Sequence, residues 1–151
     1  MSDQEKINAL QIIADIETHY LGIEPFVVVN AHLGYRTAGT YDPAERTARI
    51  DFEKREGDSP IEYVNTILHE CRHAYQHDCI DSLDWSNPDI QNGIYYAPVR
   101  AWRYEHANYI SLVEDHEAYY SQSIEVDARQ YAQDGIYVYQ QYIDFGSLPA
   151  R

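Results

Sequence analysis

The sequence predicts an α+β fold: an N-terminal helix, a small three-stranded sheet, a central helix and a mainly helical C-terminal half. Three observations carry this. Stretches beginning at Ser2 and Ser59 open with helix-start signals and continue with apolar residues at helical spacing. Between them lie a β-branched run and two alternating segments joined at Asp42-Pro43. Beyond Pro98 the helical spacing returns almost to the C-terminus.

A chain of 151 residues suits a single domain spanning 1–151. A net charge of -14 argues against holding phosphates, which needs a basic surface, so no nucleic-acid partner is expected. No apolar run reaches transmembrane length, and the acidic Met1-Ser2-Asp3-Gln4-Glu5 start is unlike a signal peptide. A cytoplasmic monomer with no membrane association is the expectation. Tyrosine outnumbers phenylalanine 15 to 3, which calls for half-buried layers whose hydroxyls find partners. Cys71 and Cys79 fall on one helix, about 12 Å apart at ~1.5 Å rise per residue, too far for a disulfide with each other.

Ser2 and Glu5 form a capping box. Ile7, Leu10, Ile13, Ala14, Ile16 and Tyr20 then make one helical face, and Gly22 stops it. Phe26-Val27-Val28-Val29 reads as a buried strand. Residues 35–41 and 46–53 read as a hairpin around the Asp42-Pro43 turn. Arg46, Arg49, Lys54 and Arg55 charge its second arm, as suits a sheet edge. Ser59 as N-cap, Pro60 at the first helical position and Glu62 mark the next helix. Residues 80–98 carry the turn signals Asn87-Pro88 and Asn92-Gly93 and are expected to be loop. A helix is expected from Val99 to about Glu117, and another through Gln122–Ala132. Gly135 weakens or breaks it before it resumes to about Asp144, and the tail from Gly146 is expected to be loose.

The helix after Ser59 carries His69-Glu70-Cys71-Arg72-His73, a His-Glu-x-x-His pattern. Residues four apart share a helix face, so the two imidazoles can hold one zinc ion. Glu70 sits about 100° round the axis, beside the metal, where a carboxylate can take a proton from water. A catalytic zinc usually has three protein ligands and an open position. The candidates for the third are Glu125, Asp127, His116 and His106. Glu125 is preferred, because Ala128 and Ala132 behind it let its helix approach the His-Glu helix closely. His77 extends the histidine row but lies a turn further on, and is expected to line the helix end.

Two stretches, Thr66-Ile67-Leu68-His69-Glu70-x-x-His73-Ala74 and Glu125-Val126-Asp127-Ala128-Arg129-Gln130-Tyr131-Ala132, resemble compact zincin metallopeptidases of the gluzincin kind. Among these the chain is most similar to the ImmA/IrrE-type and related phage or mobile-element enzymes. The resemblance implies a zincin-like fold, Glu125 as the third ligand and Asp127 as a supporting acid. It covers roughly residues 26–78 and 119–133. The span from His73 to Glu125 is longer than is usual there, which implies an inserted lid or extra helix over 80–118. Arg129 stands where many related zincins have an acid that supports a ligand histidine, and Asp127, Asp115 or a backbone carbonyl can replace it.

The function expected from this is hydrolysis of a peptide or protein substrate by a zinc-activated water, with Glu70 as general base. Tyr119, Tyr120 and His116 are the candidate oxyanion donors. The charged strand near 47–53 is expected to accept an extended peptide at its edge. The alternatives are a non-catalytic zinc-stabilised protein, or an acidic decoy or inhibitor of a mobile element.

Overall fold

The computed structural model describes residues 1–34 and 37–145, apart from the side chains of 142–145. Tyr35, where the expected hairpin begins, and the tail from Gly146 lie outside the described residues. The architecture is α+β, with six α-helices and a mixed three-stranded sheet among the described residues.

Helix α1 (Asp3–Leu21) starts at the Ser2–Glu5 box and ends at Gly22, whose φ of 69° is the left-handed conformation that favours glycine. Leu10, Ile13 and Ala14 bury its inner face. Gln11 reaches out to the first strand, β1 (Val27–Asn30), as a surrogate neighbour. Its Nε2 donates to the carbonyl of Phe26 at 2.8 Å, and its Oε1 accepts from the Val28 N–H at 2.8 Å. Strands β2 (Gly39–Asp42) and β3 (Thr47–Ile50) form the hairpin, and Asp42 Oδ1 caps its turn by accepting from the Ala44 and Glu45 N–H groups.

The sheet order is β1-β3-β2, with β1 parallel and β2 antiparallel to β3. The charged strand is therefore central, and the expectation of an edge at 47–53 is corrected. Ala48 and Ile50 point into the core, while Arg49 stands on the opposite face, paired with Asp42 at 3.1 Å and with Glu45. Arg46 reaches Asp78 of the central helix, and Lys54 and Arg55 lie beyond the strand. Alternation marked one face of the strand as polar, and a polar face is compatible with a central position.

Helix α2 (Pro60–Ser82) begins where Glu62 reaches back to the Ser59 N–H at 2.6 Å and its hydroxyl at 2.8 Å. Ile67, Leu68, Cys71 and Ala74 are fully buried in a core shared with α1, the sheet and residues of the last helix. Burying an Ile or Leu side chain contributes roughly 1.5–3 kcal/mol. The expected loop at 80–98 is in part helical. Asn87-Pro88 serves as a helix start for α3 (Pro88–Asn92), with Asn87 Oδ1 accepting from the Asp89 N–H, and a 3-10 turn follows at Ile94–Tyr96.

Helix α4 (Ala97–Ala107) ends ten residues short of the expected boundary at Glu117. The reason is Gln122, whose amide takes both the N–H and the carbonyl of Ile110, at 3.0 and 2.9 Å. A continuous helix would need those groups for itself. A separate short helix, α5 (His116–Ser121), is capped by Asp115.

Helix α6 (Ser123–Phe145) runs through Gly135 without a break. Ala128 and Ala132 are buried against α2, and a Cβ at Gly135 would lie 2.8 Å from Leu68 Cδ1. Gly135 is there for close approach between helices rather than for a turn. Replacing Ala128 with Leu is expected to lower stability by about 1–3 kcal/mol through overpacking, read as a lower midpoint in urea unfolding.

Candidate metal centre

α2 and α6 bring His69, His73 and Glu125 together, with one donor atom from each within 4.8 Å of the others. His69 Nε2 lies 3.0 Å from His73 Nε2 and 3.1 Å from Glu125 Oε2, and His73 Nε2 lies 3.3 Å from Glu125 Oε1. Donors bonded tetrahedrally to zinc at ~2.0–2.1 Å would stand roughly 3.3 Å apart. The donor set, two imidazoles and a carboxylate, fits zinc in type and spacing.

Glu125 is held in place by its helix start. Glu105 of α4 accepts from the Ser123 N–H, the Ser123 hydroxyl and the Ile124 N–H, each at 2.8 Å. That carboxylate supplies acceptors for backbone donors that no helical carbonyl can satisfy. Glu125 itself is buried. Burial alone would raise its carboxyl, but the hydrogen bonds and charges of His69 and His73 hold it far below the usual carboxylate range. Burial likewise works against a proton on His73, yet Glu125, Glu70 and Gln76 lift that imidazole to about 9.

The remaining nitrogen of His73 is also fixed. Its Nδ1–H donates to Gln76 Oε1 at 2.8 Å, and Gln76 Nε2 donates to the Ile124 carbonyl and to Asp127 Oδ2 at 2.9 and 2.7 Å. Arg72 closes the chain with two bonds to Asp127, at 2.7 and 2.9 Å. Asp127 thus supports His73 through Gln76, and its carboxylate is neutralised by Arg72. This tautomer leaves Nε2 facing Glu125. Gln76 went unnoticed in the sequence, although its place three residues after His73 puts it on the same helix face.

Glu70 is buried beside the donors, and burial raises its carboxyl while His69 and His73 oppose that rise. Gly39 of β2 passes directly over it. A Cβ there would stand 3.2 Å from Glu70 Oε1 and 2.7 Å from Thr66 Cγ2. The strand can approach the acid this closely only without a side chain.

Two tyrosines close on Glu125. Tyr109 donates to Oε1 at 2.8 Å and Tyr119 to Oε2 at 3.1 Å. Burial and then the Glu125 charge push both phenols up, so they remain neutral donors. Tyr109 sits in the irregular stretch after α4, and no periodic pattern in the sequence singles it out. Tyr120 lines the cavity. His116 is exposed on α5 with its ring against Tyr120, and is not among the lining residues. His106 packs edge-on against His77, ring centroids 4.0 Å apart, and lines the cavity without joining the three donors. Asp115 caps α5, and Cys71 is buried toward α1, where burial raises its thiol well above the usual range.

The cavity these groups line measures about 610 Å³. β2 walls one side, α2 forms its floor, and residues 109–120 supply the opposite wall. Within the segment from 80 to 107, Ile80, Trp85, Val99 and Trp102 form a second apolar cluster with Ile124, and His106 lines the cavity. No helix among the described residues is long and apolar enough to cross a membrane. No family model, curated protein or solved structure matches the chain.

Gln76→Ala is expected to weaken zinc binding 10–100-fold, measured by competition with a chromophoric chelator. A second expectation concerns acid stability. Burial and the charges of His106 and His73 lower His77 to about 4, against 6.5 for an ordinary histidine. The unfolded chain therefore takes up more protons between these values, and this group's contribution falls as pH drops from about 6.5 to about 4. With chelator present, His77→Phe should flatten that part of the pH profile of urea unfolding, relative to the unsubstituted protein.

Proposed function

We propose that the chain is a zinc-dependent metallopeptidase of zincin-like organisation, with His69, His73 and Glu125 as ligands and Glu70 as general base. The observation that carries the reading is the convergence of those three donors at the wall of an open cavity, with buried Glu70 beside them. A structural zinc is normally enclosed by four protein ligands; three donors facing a cavity suit chemistry. Bound there, zinc supplies a Lewis acid and lowers the pKa of a coordinated water toward ~7.

The protein's own groups divide the remaining work. Glu70 takes a proton from the attacking water and returns it to the leaving amine. Its raised carboxyl makes it a better base than an exposed glutamate. Tyr109 and Tyr119 each spend their one O–H donor on Glu125 and so hold that ligand; either phenol stabilises charge on the substrate carbonyl oxygen by turning its O–H from Glu125 to it. The substrate is an extended peptide. Among the described residues β2 pairs with β3 along one edge only, and its residues 39–41 line the cavity, so a peptide can add as a further strand there.

Glu70→Gln is expected to keep stoichiometric zinc while cleaving an unfolded protein about 10²–10⁴-fold more slowly. Glu125→Ala is expected to lose the zinc. Metal analysis of both variants, with a gel-based cleavage assay, checks the pair. Zinc unaffected by Glu125→Ala, or full activity in Glu70→Gln, overturns the reading.

A further inference from the structure

Arg129 lies one turn beyond Glu125 on α6, about 6 Å further along the axis at ~1.5 Å per residue, and lines the same cavity. It is the only lysine or arginine among the described residues that do so. Arg46, Arg49, Arg55 and Arg72 each hold a carboxylate partner. Arg129 has no acid within salt-bridge distance among the described residues. Its guanidinium stacks 4.6 Å over the Tyr120 ring, and Nη2 donates to the Tyr120 carbonyl. Nη1 is buried without an acceptor.

A guanidinium cannot shed its charge, and a buried donor without an acceptor is costly. In a chain of net charge -14, an arginine with no acid within salt-bridge distance keeps its charge open to an anionic ligand. Glu70 and Glu125 line the same cavity, and a zinc ion held at the centre would offset their charge, so they do not bar an anionic group from it. Arg129 adds a fixed cation with an unused donor, and the planar fork of arginine matches a carboxylate in shape.

We propose that Arg129 forms a carboxylate-binding subsite, which takes an acidic group of the substrate peptide. This rests on the peptidase reading of the same cavity. An extended peptide advances ~3.3 Å per residue, so the recognised carboxylate belongs within about two residues of the cleaved bond. The carboxylate comes from an aspartate or glutamate side chain, or from the free C-terminus.

The test uses the full chain carrying Glu70→Gln, loaded with zinc, so that peptides bind without turnover. Fluorescent peptides with Asp or Glu are compared with their Asn or Gln counterparts, each with a free or an amidated C-terminus. Acidic peptides should bind about tenfold more tightly or better, and Arg129→Met should abolish that preference while leaving the neutral peptides unchanged. Arg129→Lys should retain part of it. Loss of the preference on amidation assigns the C-terminal carboxylate; persistence assigns the side chain. If Arg129→Met does not fold, as judged by thermal melting, Arg129→Gln reads the same contrast. Peptide cleavage by the unsubstituted protein with no acidic preference, or with one that survives loss of Arg129, overturns the subsite and leaves the peptidase reading standing. An Arg129-dependent preference in a protein that cleaves no peptide supports the subsite and overturns the peptidase reading.

Discussion

Close packing of α2 against α6 is the constraint on which the rest of the molecule depends. Three ligands on two helices converge only if the helix axes come close, and side-chain volume at the crossing limits that approach. Ala128, Ala132 and Gly135 supply the missing volume on α6. Ile67, Cys71 and Ala74 of α2 belong to the main core, and Leu68 of that core lies against Gly135 at the crossing. The same helix therefore carries buried apolar residues on one flank and His69, Glu70 and His73 on the other.

Close packing alone would leave the polar residues at the crossing unsatisfied. The structure meets this with acids and amides that reach between elements. Glu105 caps α6 from α4, Gln122 holds Ile110 in place of a strand partner, and Gln76 joins His73 to Asp127 and Arg72. Glu105 and Gln122 fix backbone next in the chain to Glu125 and Tyr109, and Gln76 bonds His73 itself. Tyr109 and Tyr119 complete the shell around Glu125. An acid so surrounded keeps its charge although buried, which a metal ligand requires.

Much of the fold could be read from local chemistry. Ser2 with Glu5, and Ser59 with Pro60 and Glu62, marked two helix starts because caps are short-range. His69 and His73 were paired by helical spacing, and Ala128 and Ala132 pointed to Glu125 through the same logic of faces. What escaped depends on distant partners. β3 is central because Gln11 of α1 occupies the flank of β1 and the hairpin folds back on the other side. α4 stops early because Gln122, fifteen residues after Ala107, claims the backbone of Ile110. Whether Gly135 breaks or only weakens its helix stays open in the sequence because nothing local shows that Leu68 presses on it. Tyr109 bears on Glu125 from an irregular stretch, where no periodicity can flag it.

Zinc K-edge X-ray absorption on the purified full chain tests the proposed centre most directly. The expected spectrum shows about four nitrogen or oxygen ligands at ~2.0–2.1 Å, with imidazole scattering from two histidines and no sulfur. His73→Ala should remove one imidazole from that shell. A protein that takes up no zinc, a sulfur ligand at ~2.3 Å, or a shell unchanged in His73→Ala would contradict it.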